Sequence, residues 1–256
     1  MDIFLFLLVS VFIYQMMWWF FSVLKRDNSW VDVAWGIGFL VISLLAFFQS
    51  YTFLSTLKII VLVLILVWGV RLSLHLLLRK LAYPGEDKRY KEIRKTWGDN
   101  TALFSLFSIF WLQGLFMFII LLPVLWVMGS DVQTVSSLSF AGVFIWLFGF
   151  LFEVVADFQL AEFKKHHKKD HIMNKGLWRY SRHPNYFGEA TLWWGMWLIV
   201  IGSGAPLWTV IGPITITFLL LWVSGVTLLE KHYHGHAGYH AYQKKTSSFV
   251  PWIPNE

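Results

Sequence analysis

Long apolar runs, separated by short polar segments, dominate the chain and predict membrane-spanning helices. Most of them approach the roughly 20 apolar residues that an α-helix needs to cross the hydrocarbon core of a bilayer. The sequence predicts seven spans, with approximate bounds Met1–Leu24, Trp30–Phe48, Leu57–Leu78, Leu103–Met128, Phe140–Leu160, Tyr186–Ile201 and Leu207–Leu229. The predicted fold class is therefore all-α, a polytopic integral membrane protein.

Positive charge divides the polar segments into two groups. The segments after the first, third and fifth spans, together with the C-terminal tail, hold every Lys and Arg except Lys58, when Arg71 is counted with the segment that follows it. Because Lys and Arg accumulate in cytoplasmic loops, seven spans with the N-terminus outside and the tail in the cytoplasm fit this distribution, whereas an even number does not. The polar segment 79–100 is expected either as a short interfacial helix or as a loop ordered against the rest of the protein.

Composition supports the membrane class and narrows the chemistry. The 256 residues are 57% hydrophobic and 14% charged, with 16 Trp and 24 Phe, which is more apolar surface than a soluble domain needs. The absence of Cys excludes a disulfide framework, a thiolate metal site and a cysteine nucleophile. The net charge of +6 is concentrated in loops and not spread over a nucleic-acid-binding face. We expect a monomer with one transmembrane domain over residues 1–256, membrane lipids as partners, and no nucleic acid.

The stretch Gly176–Glu189, GLWRYSRHPNYFGE, is the most chemically specific part of the sequence. It brings together a cation, an imidazole, an amide, a phenol and a carboxylate, namely Arg182, His183, Asn185, Tyr186 and Glu189. Pro184 suits the first turn of the apolar helix that follows. This combination is typical of the mouth of a site at the membrane surface. An interfacial anchor, with aromatic rings at headgroup level and an arginine on lipid phosphate, is the alternative.

Ionisable residues within predicted spans are costly and are therefore functional candidates. Arg71 and His75 lie four residues apart in the third span and share a helix face, as do Glu153 and Asp157 in the fifth. Asp32 lies near the start of the second span. The alternatives are structural: a first-turn acid favoured by the helix dipole for Asp32, and an ion pair between Arg71 and the fifth-span carboxylates.

Nine histidines raise the question of a metal site. Seven of them form two clusters, within residues 166–171 and 232–240, whose spacings do not repeat. Lysines flank the first cluster and would repel a cation, and glycines interrupt any common helical face in the second. We therefore expect no metal. A basic, histidine-rich rim suits phosphates instead, because Arg binds them bidentately and Lys binds them as a point charge.

Four motifs of the chain resemble a known enzyme group. SRHPNYFGE, which leads into a span, and the ending GYHAYQKKTSSFVPWIP resemble the steroid 5-alpha-reductase and sterol reductase superfamily. WVDVAWG and WGVRL are most similar to its bacterial branch, a DUF1295-like domain of unknown function. The resemblance covers nearly the whole chain. It implies a seven-helix membrane enzyme that uses NADPH to reduce a carbon–carbon double bond conjugated to a ketone, with the cofactor site on the cytoplasmic side and a steroid or related lipid entering from the bilayer.

The resemblance and the basic rim together imply site residues, most of them within about residues 140–256. Cofactor binding is expected at Arg71, Asp157, Lys164, His171, Arg182, His183, Asn185, Tyr186 and Tyr242. Substrate contacts are expected at Trp35, Trp68 and Tyr233. Trp68 stands where relatives have a tyrosine that holds the substrate ketone.

The implied reduction builds negative charge on the ketone oxygen, which a hydrogen-bond donor in a dry site stabilises. A carboxylic acid kept protonated by burial can be that donor. Glu189 and Asp32 are the two predicted donors, and His75 is a further catalytic candidate.

Two other functions fit part of the pattern. A membrane methyltransferase of the isoprenylcysteine carboxyl type shares the RHPxYxG passage and a tyrosine-rich tail, but it uses S-adenosylmethionine and usually has fewer spans. A non-catalytic scaffold or lipid-binding protein has no need for ionisable groups that converge on one face. Seven spans and the WVDVAWG motif favour the reductase.

Overall fold

The computed structural model describes residues 3–49, 54–131, 134–167, 171–233 and 237–255. Over these ranges the chain is helical, and its only strand-like pairing is an isolated bridge between Ser181 and Ser247. The α-helices are α1 Ile3–Lys25, α2 Trp30–Gln49, α3 Thr56–Ala82, α4 Lys88–Trp97, α5 Thr101–Ser105, α6 Leu112–Gly129, α7 Ser137–His166, α8 Pro184–Ile201, α9 Ile211–Phe218, α10 Val226–His232 and α11 Ala237–Lys245. The chain divides into two compact units, Met1–Thr134 and Val135–Glu256.

Six helical segments of the described ranges are long and apolar enough to cross a membrane. They are Ile3–Lys25, Trp30–Gln49, Thr56–Ala82, Thr101–Gly129, Ser137–His166 and Leu207–Lys231. The structure thus supports an all-helical integral membrane protein. α8, which the sequence predicts as a further span, has 18 residues but is less apolar than these six, because its first turns carry Asn185, Tyr186 and Glu189.

Two polar segments predicted between spans are partly helical. α3 continues to Ala82, and α4 follows within the segment 79–100, so part of that segment is a short helix. The side chain of Asp87 caps α4 by accepting a hydrogen bond from the Arg89 amide at 2.9 Å. α7 also extends past its predicted end at Leu160, and its last turn carries basic residues, which favour a helix C-terminus.

The segment Leu207–Lys231 is not one continuous α-helix. A π-helical turn, Leu219–Val223, follows α9, and the chain breaks at Gly225 before α10 begins. A Cβ atom at Gly225 would lie 2.0 Å from the Leu220 carbonyl oxygen, so only glycine fits this break. The break places Glu230 on α10, a short helix that is separate from α9.

In the first unit, α2 packs closely on α1 and α3. The Tyr14 hydroxyl of α1 donates a hydrogen bond to the Ala34 carbonyl of α2 at 2.7 Å. A Cβ at Gly36 would lie 3.2 Å from the Gly69 carbonyl oxygen on α3, and glycine at both positions lets the two helices approach. Small residues at such contacts are typical of helix packing within membranes.

In the second unit, α7 and α8 pack antiparallel through glycines spaced seven residues apart. The glycines are Gly142 and Gly149 on α7 and Gly188 and Gly195 on α8. A Cβ at Gly149 would lie 2.5 Å from the Leu192 amide nitrogen, and one at Gly188 would lie 2.5 Å from the Glu153 amide nitrogen. Seven-residue spacing keeps the glycines on one face of each helix. This contact brings the polar start of α8 against the acidic turns of α7.

Candidate functional site

Helix α7 holds the beginning of the central stretch Gly176–Glu189. Its Gln159 side chain accepts a hydrogen bond from the Leu177 amide at 2.9 Å. The indole of Trp178 donates to the Ala156 carbonyl at 3.1 Å, and Trp178 is buried. The stretch is therefore fixed to α7 before α8 begins.

The C-terminal tail holds the other side of the same stretch. The Ser181 hydroxyl donates to the Phe249 carbonyl at 2.7 Å, and the Trp252 amide donates to the Tyr180 carbonyl at 2.9 Å. The two motifs on which the family resemblance rests most strongly are thus one structural unit, although about 60 residues separate them in sequence.

Tyr242, a predicted cofactor-binding residue, belongs to this contact between stretch and tail. Its hydroxyl donates hydrogen bonds to the carbonyl oxygens of Trp178 and Ser181. Burial raises the pKa of the Tyr242 hydroxyl, although the Arg182 charge acts in the opposite direction. The side chain therefore stays protonated and serves as a donor to the main chain.

Glu230, which the sequence did not single out, is the central acceptor of a polar cluster in the second unit. Its Oε1 accepts hydrogen bonds from Arg182 Nε at 2.7 Å and from Tyr239 at 2.8 Å, and it lies 3.1 Å from His183 Nε2. Its Oε2 accepts from Gln243. Burial and the bond to Glu230 raise the pKa of the Tyr239 hydroxyl. We call these five residues the Glu230 cluster.

Arg182 has further partners besides Glu230. Its Nη1 donates to the main-chain carbonyl of Gln243 at 3.1 Å and to that of Thr246. His183 is 3% exposed and stacks on Tyr186, with ring centroids 5.7 Å apart and planes 4° apart. These contacts support a structural role for Arg182 and His183, and their cofactor role stays a prediction.

Replacing Glu230 by Gln should destabilise the protein by about 2 kcal/mol. The variant leaves the partly buried Arg182 without its counter-ion, and hydrogen bonds to charged groups contribute about 1.5–3 kcal/mol each. The melting temperature of the purified protein measures the effect. Glu162→Gln is the matched control, because Glu162 pairs with exposed Lys165 at the surface and its loss should leave the melting temperature nearly unchanged. Equal melting temperatures for both variants would contradict the role of the cluster.

Three carboxylates lie buried where α7 and α8 cross: Glu153, Asp157 and Glu189 are 2%, 8% and 9% exposed. Asn185 Nδ2 donates to Asp157 Oδ1 at 3.1 Å, so the structure brings these two predicted residues together. Asn185 Oδ1 is buried and accepts no hydrogen bond from the residues that the structure describes. Glu189 lies one helical turn after Asn185 on the same side of α8. We call these four residues the acid–amide cluster.

A basic cavity of about 660 Å³ opens between the central stretch, α11 and the tail. It is lined by His171, Ile172, Asn174, Arg179, Gly238, Ala241, Tyr242, Lys245, Thr246, Pro254 and Asn255. The cavity brings two predicted cofactor residues, His171 and Tyr242, together with two cations that the sequence analysis did not select. Lys164, also predicted to bind the cofactor, is exposed near the end of α7.

Tyr233 lies just after α10 and is about one third exposed. Its ring stacks on Tyr239, with centroids 4.8 Å apart. The predicted substrate contact therefore lies beside the Glu230 cluster. No group of three or more metal-ligating side chains occurs within the described parts of the chain.

Asp32, in the first unit, is surrounded by hydrogen-bond donors. Oδ1 accepts from the Tyr90 hydroxyl at 2.7 Å, and Oδ2 lies 3.0 Å from Arg89 Nη2 and 3.5 Å from Arg79 Nη2. Both oxygens are thus acceptors, and two guanidinium groups balance the charge. These contacts support a structural role for Asp32 as an ion-pair partner of two arginines, which differs from the helix-dipole alternative, and its catalytic role stays a prediction.

Further ion pairs fix the turn between α1 and α2. Asp27 accepts hydrogen bonds from Lys80 and Ser29, and Glu86 accepts from the Asn28 amide at 2.8 Å. Burial alone would raise the pKa of Asp27, but the hydrogen bonds from Lys80 and Ser29 and the Lys80 charge hold it below its usual range. Asp27 and Asp32 therefore attach the start of α2 to the end of α3 and to α4.

An aromatic cluster on α2 and α3 contains both predicted substrate contacts of the first unit. Phe39 packs edge-to-face between Trp35 and Trp68, with ring centroids 5.1 Å apart in each pair. Trp68 is completely buried. Arg71 and His75 follow on the same helix, four residues apart, and both are half-buried.

Comparison with known proteins identifies a family but no activity. A family model described as "Protein of unknown function (DUF1295)" matches residues 18–246, a range that contains every predicted site residue. No curated protein and no solved structure gave a significant match.

Proposed function

We propose that this chain, which belongs to the DUF1295 family, is an NADPH-dependent membrane reductase of a carbon–carbon double bond conjugated to a ketone. The proposed substrate is a 3-oxo-steroid with a delta-4 double bond or a related membrane lipid. Support comes from the resemblance to the steroid 5-alpha-reductase group. The observation that carries the proposal is the buried amide oxygen of Asn185 in the acid–amide cluster. It has no hydrogen-bond partner among the described residues, and an unsatisfied buried polar atom is costly unless it serves a ligand.

The residues of the acid–amide cluster fit the nicotinamide and ribose end of NADPH. Asn185 Oδ1 is a buried acceptor that a carboxamide NH₂ group can satisfy, and the Asp157 carboxylate is suited to a ribose hydroxyl. NADPH, when bound, supplies a hydride for the beta carbon of the enone. Lys164, in the same unit as the acid–amide cluster, is the proposed contact for the phosphates, since Arg182 is bonded to Glu230.

Glu189 is the proposed donor to the ketone oxygen. A carboxylic acid shielded from water can hold its proton on a carboxyl oxygen and donate it as a hydrogen bond to a developing enolate. Glu189 is buried on the same helix as Asn185, the proposed nicotinamide contact. Asp32 accepts hydrogen bonds at both oxygens from Tyr90 and Arg89, which supports an ion-pair role for it. The proposal therefore assigns the donor role to Glu189.

This function is tested by measuring which nucleotide, NADPH or S-adenosylmethionine, raises the melting temperature of the purified protein. NADPH at about 100 times its dissociation constant should stabilise the protein by about 2.7 kcal/mol and raise its melting temperature by several degrees. Asn185→Ala should reduce the shift, and Lys244→Ala, an exposed residue outside the acid–amide cluster, should not. If S-adenosylmethionine raises the melting temperature and NADPH does not, the reductase proposal is wrong and the methyltransferase alternative is favoured.

We also propose that α8 spans the membrane as a seventh helix, with the N-terminus outside and the tail in the cytoplasm. The chain has no Cys, so Thr134→Cys and Lys244→Cys variants can be labelled without background. A membrane-impermeant thiol reagent should label Thr134→Cys in intact cells and Lys244→Cys only after permeabilisation. If α8 does not cross, two spans separate these positions and both cysteines will be labelled from the same side.

A further inference from the structure

The basic cavity beside the tail carries positive charge that no described residue neutralises. Arg179, Lys245 and His171 line it, and none of the eleven lining residues that the structure describes is acidic. Arg179 and Lys245 form no ion pair with an acidic side chain in the described ranges. Cations gathered around a cavity in this way favour an anionic ligand.

The walls of the basic cavity are fixed by hydrogen bonds. The Thr246 hydroxyl donates to the Arg179 carbonyl at 3.2 Å, and the Asn255 amide donates to the Lys245 carbonyl at 2.9 Å. These bonds join the central stretch, α11 and the tail on three sides of the cavity. The two cations are therefore carried by a main chain that is already ordered.

An apolar rim adjoins the basic cavity. Trp252 and Ile253, which directly precede the lining residue Pro254, are 71% and 78% exposed, and Val250 is 56% exposed. Tryptophan beside cationic side chains is typical of the interface between membrane and water. The cavity thus combines a place for an anion with an apolar surface directly next to it.

We propose that the basic cavity binds the phosphate group of an anionic membrane lipid, with the acyl chains beside the apolar rim. Arg179 can bind the phosphate bidentately, and Lys245 adds a second charge. A nucleotide phosphate has the same chemistry but leaves Trp252 and Ile253 exposed to water, which favours the lipid as the source. This inference does not depend on the reductase proposal.

The test measures the binding of phosphatidylglycerol to the full-length protein by native mass spectrometry, with phosphatidylcholine as the neutral comparison. The Arg179→Gln/Lys245→Gln variant should bind phosphatidylglycerol more weakly, by about fivefold for each charge removed. Lys244→Gln is the matched control, because Lys244 neighbours Lys245 but does not line the cavity, and it should change the affinity less than twofold. Melting temperatures check that both variants are folded.

Two further measurements distinguish a lipid phosphate from the phosphate of a soluble nucleotide as the ligand of the cavity. Trp252→Ala should weaken phosphatidylglycerol binding and leave NADPH binding unchanged. If Arg179→Gln/Lys245→Gln weakens NADPH binding but not phosphatidylglycerol binding, the cavity holds a nucleotide phosphate and the lipid proposal is overturned. Phosphatidylglycerol binding that is the same in all variants overturns it as well.

Discussion

Glu189→Gln is expected to lower turnover on the order of 100–1000-fold while the protein stays folded. Losing one preorganised contact to a developing oxyanion typically has an effect of this size. Gln keeps the shape of the side chain and some hydrogen bonding, but it cannot hold the proton of a carboxylic acid. The measurement is single-turnover NADPH oxidation with progesterone, an enone steroid, accompanied by a thermal melt. Turnover like that of the unmodified protein would remove Glu189 from the reaction.

Asp32→Asn is the comparison that distinguishes a donor from an ion-pair partner. Its removal leaves Arg79 and Arg89 without their shared carboxylate, so the melting temperature should fall. Glu189→Gln should leave the melting temperature nearly unchanged. A fall of the same size in both variants would return Glu189 to a structural role.

Gly188→Ala is expected to destabilise the protein by about 3 kcal/mol, the largest stability effect among these variants. The new Cβ would lie 2.5 Å from the Glu153 amide nitrogen and 2.7 Å from the Gly149 carbonyl oxygen. Because both neighbours are backbone atoms, α7 and α8 must separate to admit it, and overpacking of this kind costs about 1–3 kcal/mol or more. The measurement is the thermal melt of the purified variant.

Gly129→Ala is the matched control for this substitution. A Cβ there would meet only Ile3 Cγ2, at 3.6 Å, which is ordinary van der Waals contact. Its melting temperature should stay within a few degrees of the unmodified protein. If the melting temperature of Gly188→Ala also stays within a few degrees of that of the unmodified protein, the glycines do not determine the distance between α7 and α8.

The helices of this protein could be predicted from its apolar runs, since length and hydropathy decide what can cross a bilayer. α1 and α2 match their predicted spans closely. α8 differs because the polar residues that mark a site also lower its hydropathy below that of an ordinary span. The glycines at positions 142, 149, 188 and 195 were a visible signal for close helix packing, which the sequence analysis did not use.

The partners of the charged residues could not be predicted in the same way. Asp32 was recognised as a costly residue, but Arg89 and Tyr90 are more than 50 residues away, so only the fold identifies them as its partners. Glu230 lies where the last apolar span ends and the polar tail begins. Acidic residues are common at such a position, so the sequence alone did not mark Glu230 as part of a cluster. Glu230 reaches Arg182 from α10, the short helix that begins after the break at Gly225.

Transfer of deuterium is the most direct test of the central claim that this protein is an NADPH-dependent enone reductase. The purified protein is incubated with progesterone and with NADPH deuterated at both C4 positions, and the steroid is analysed by mass spectrometry and NMR. The account predicts a saturated ketone that carries one deuterium at the carbon beta to the carbonyl. A reduced product without deuterium at that carbon would contradict it.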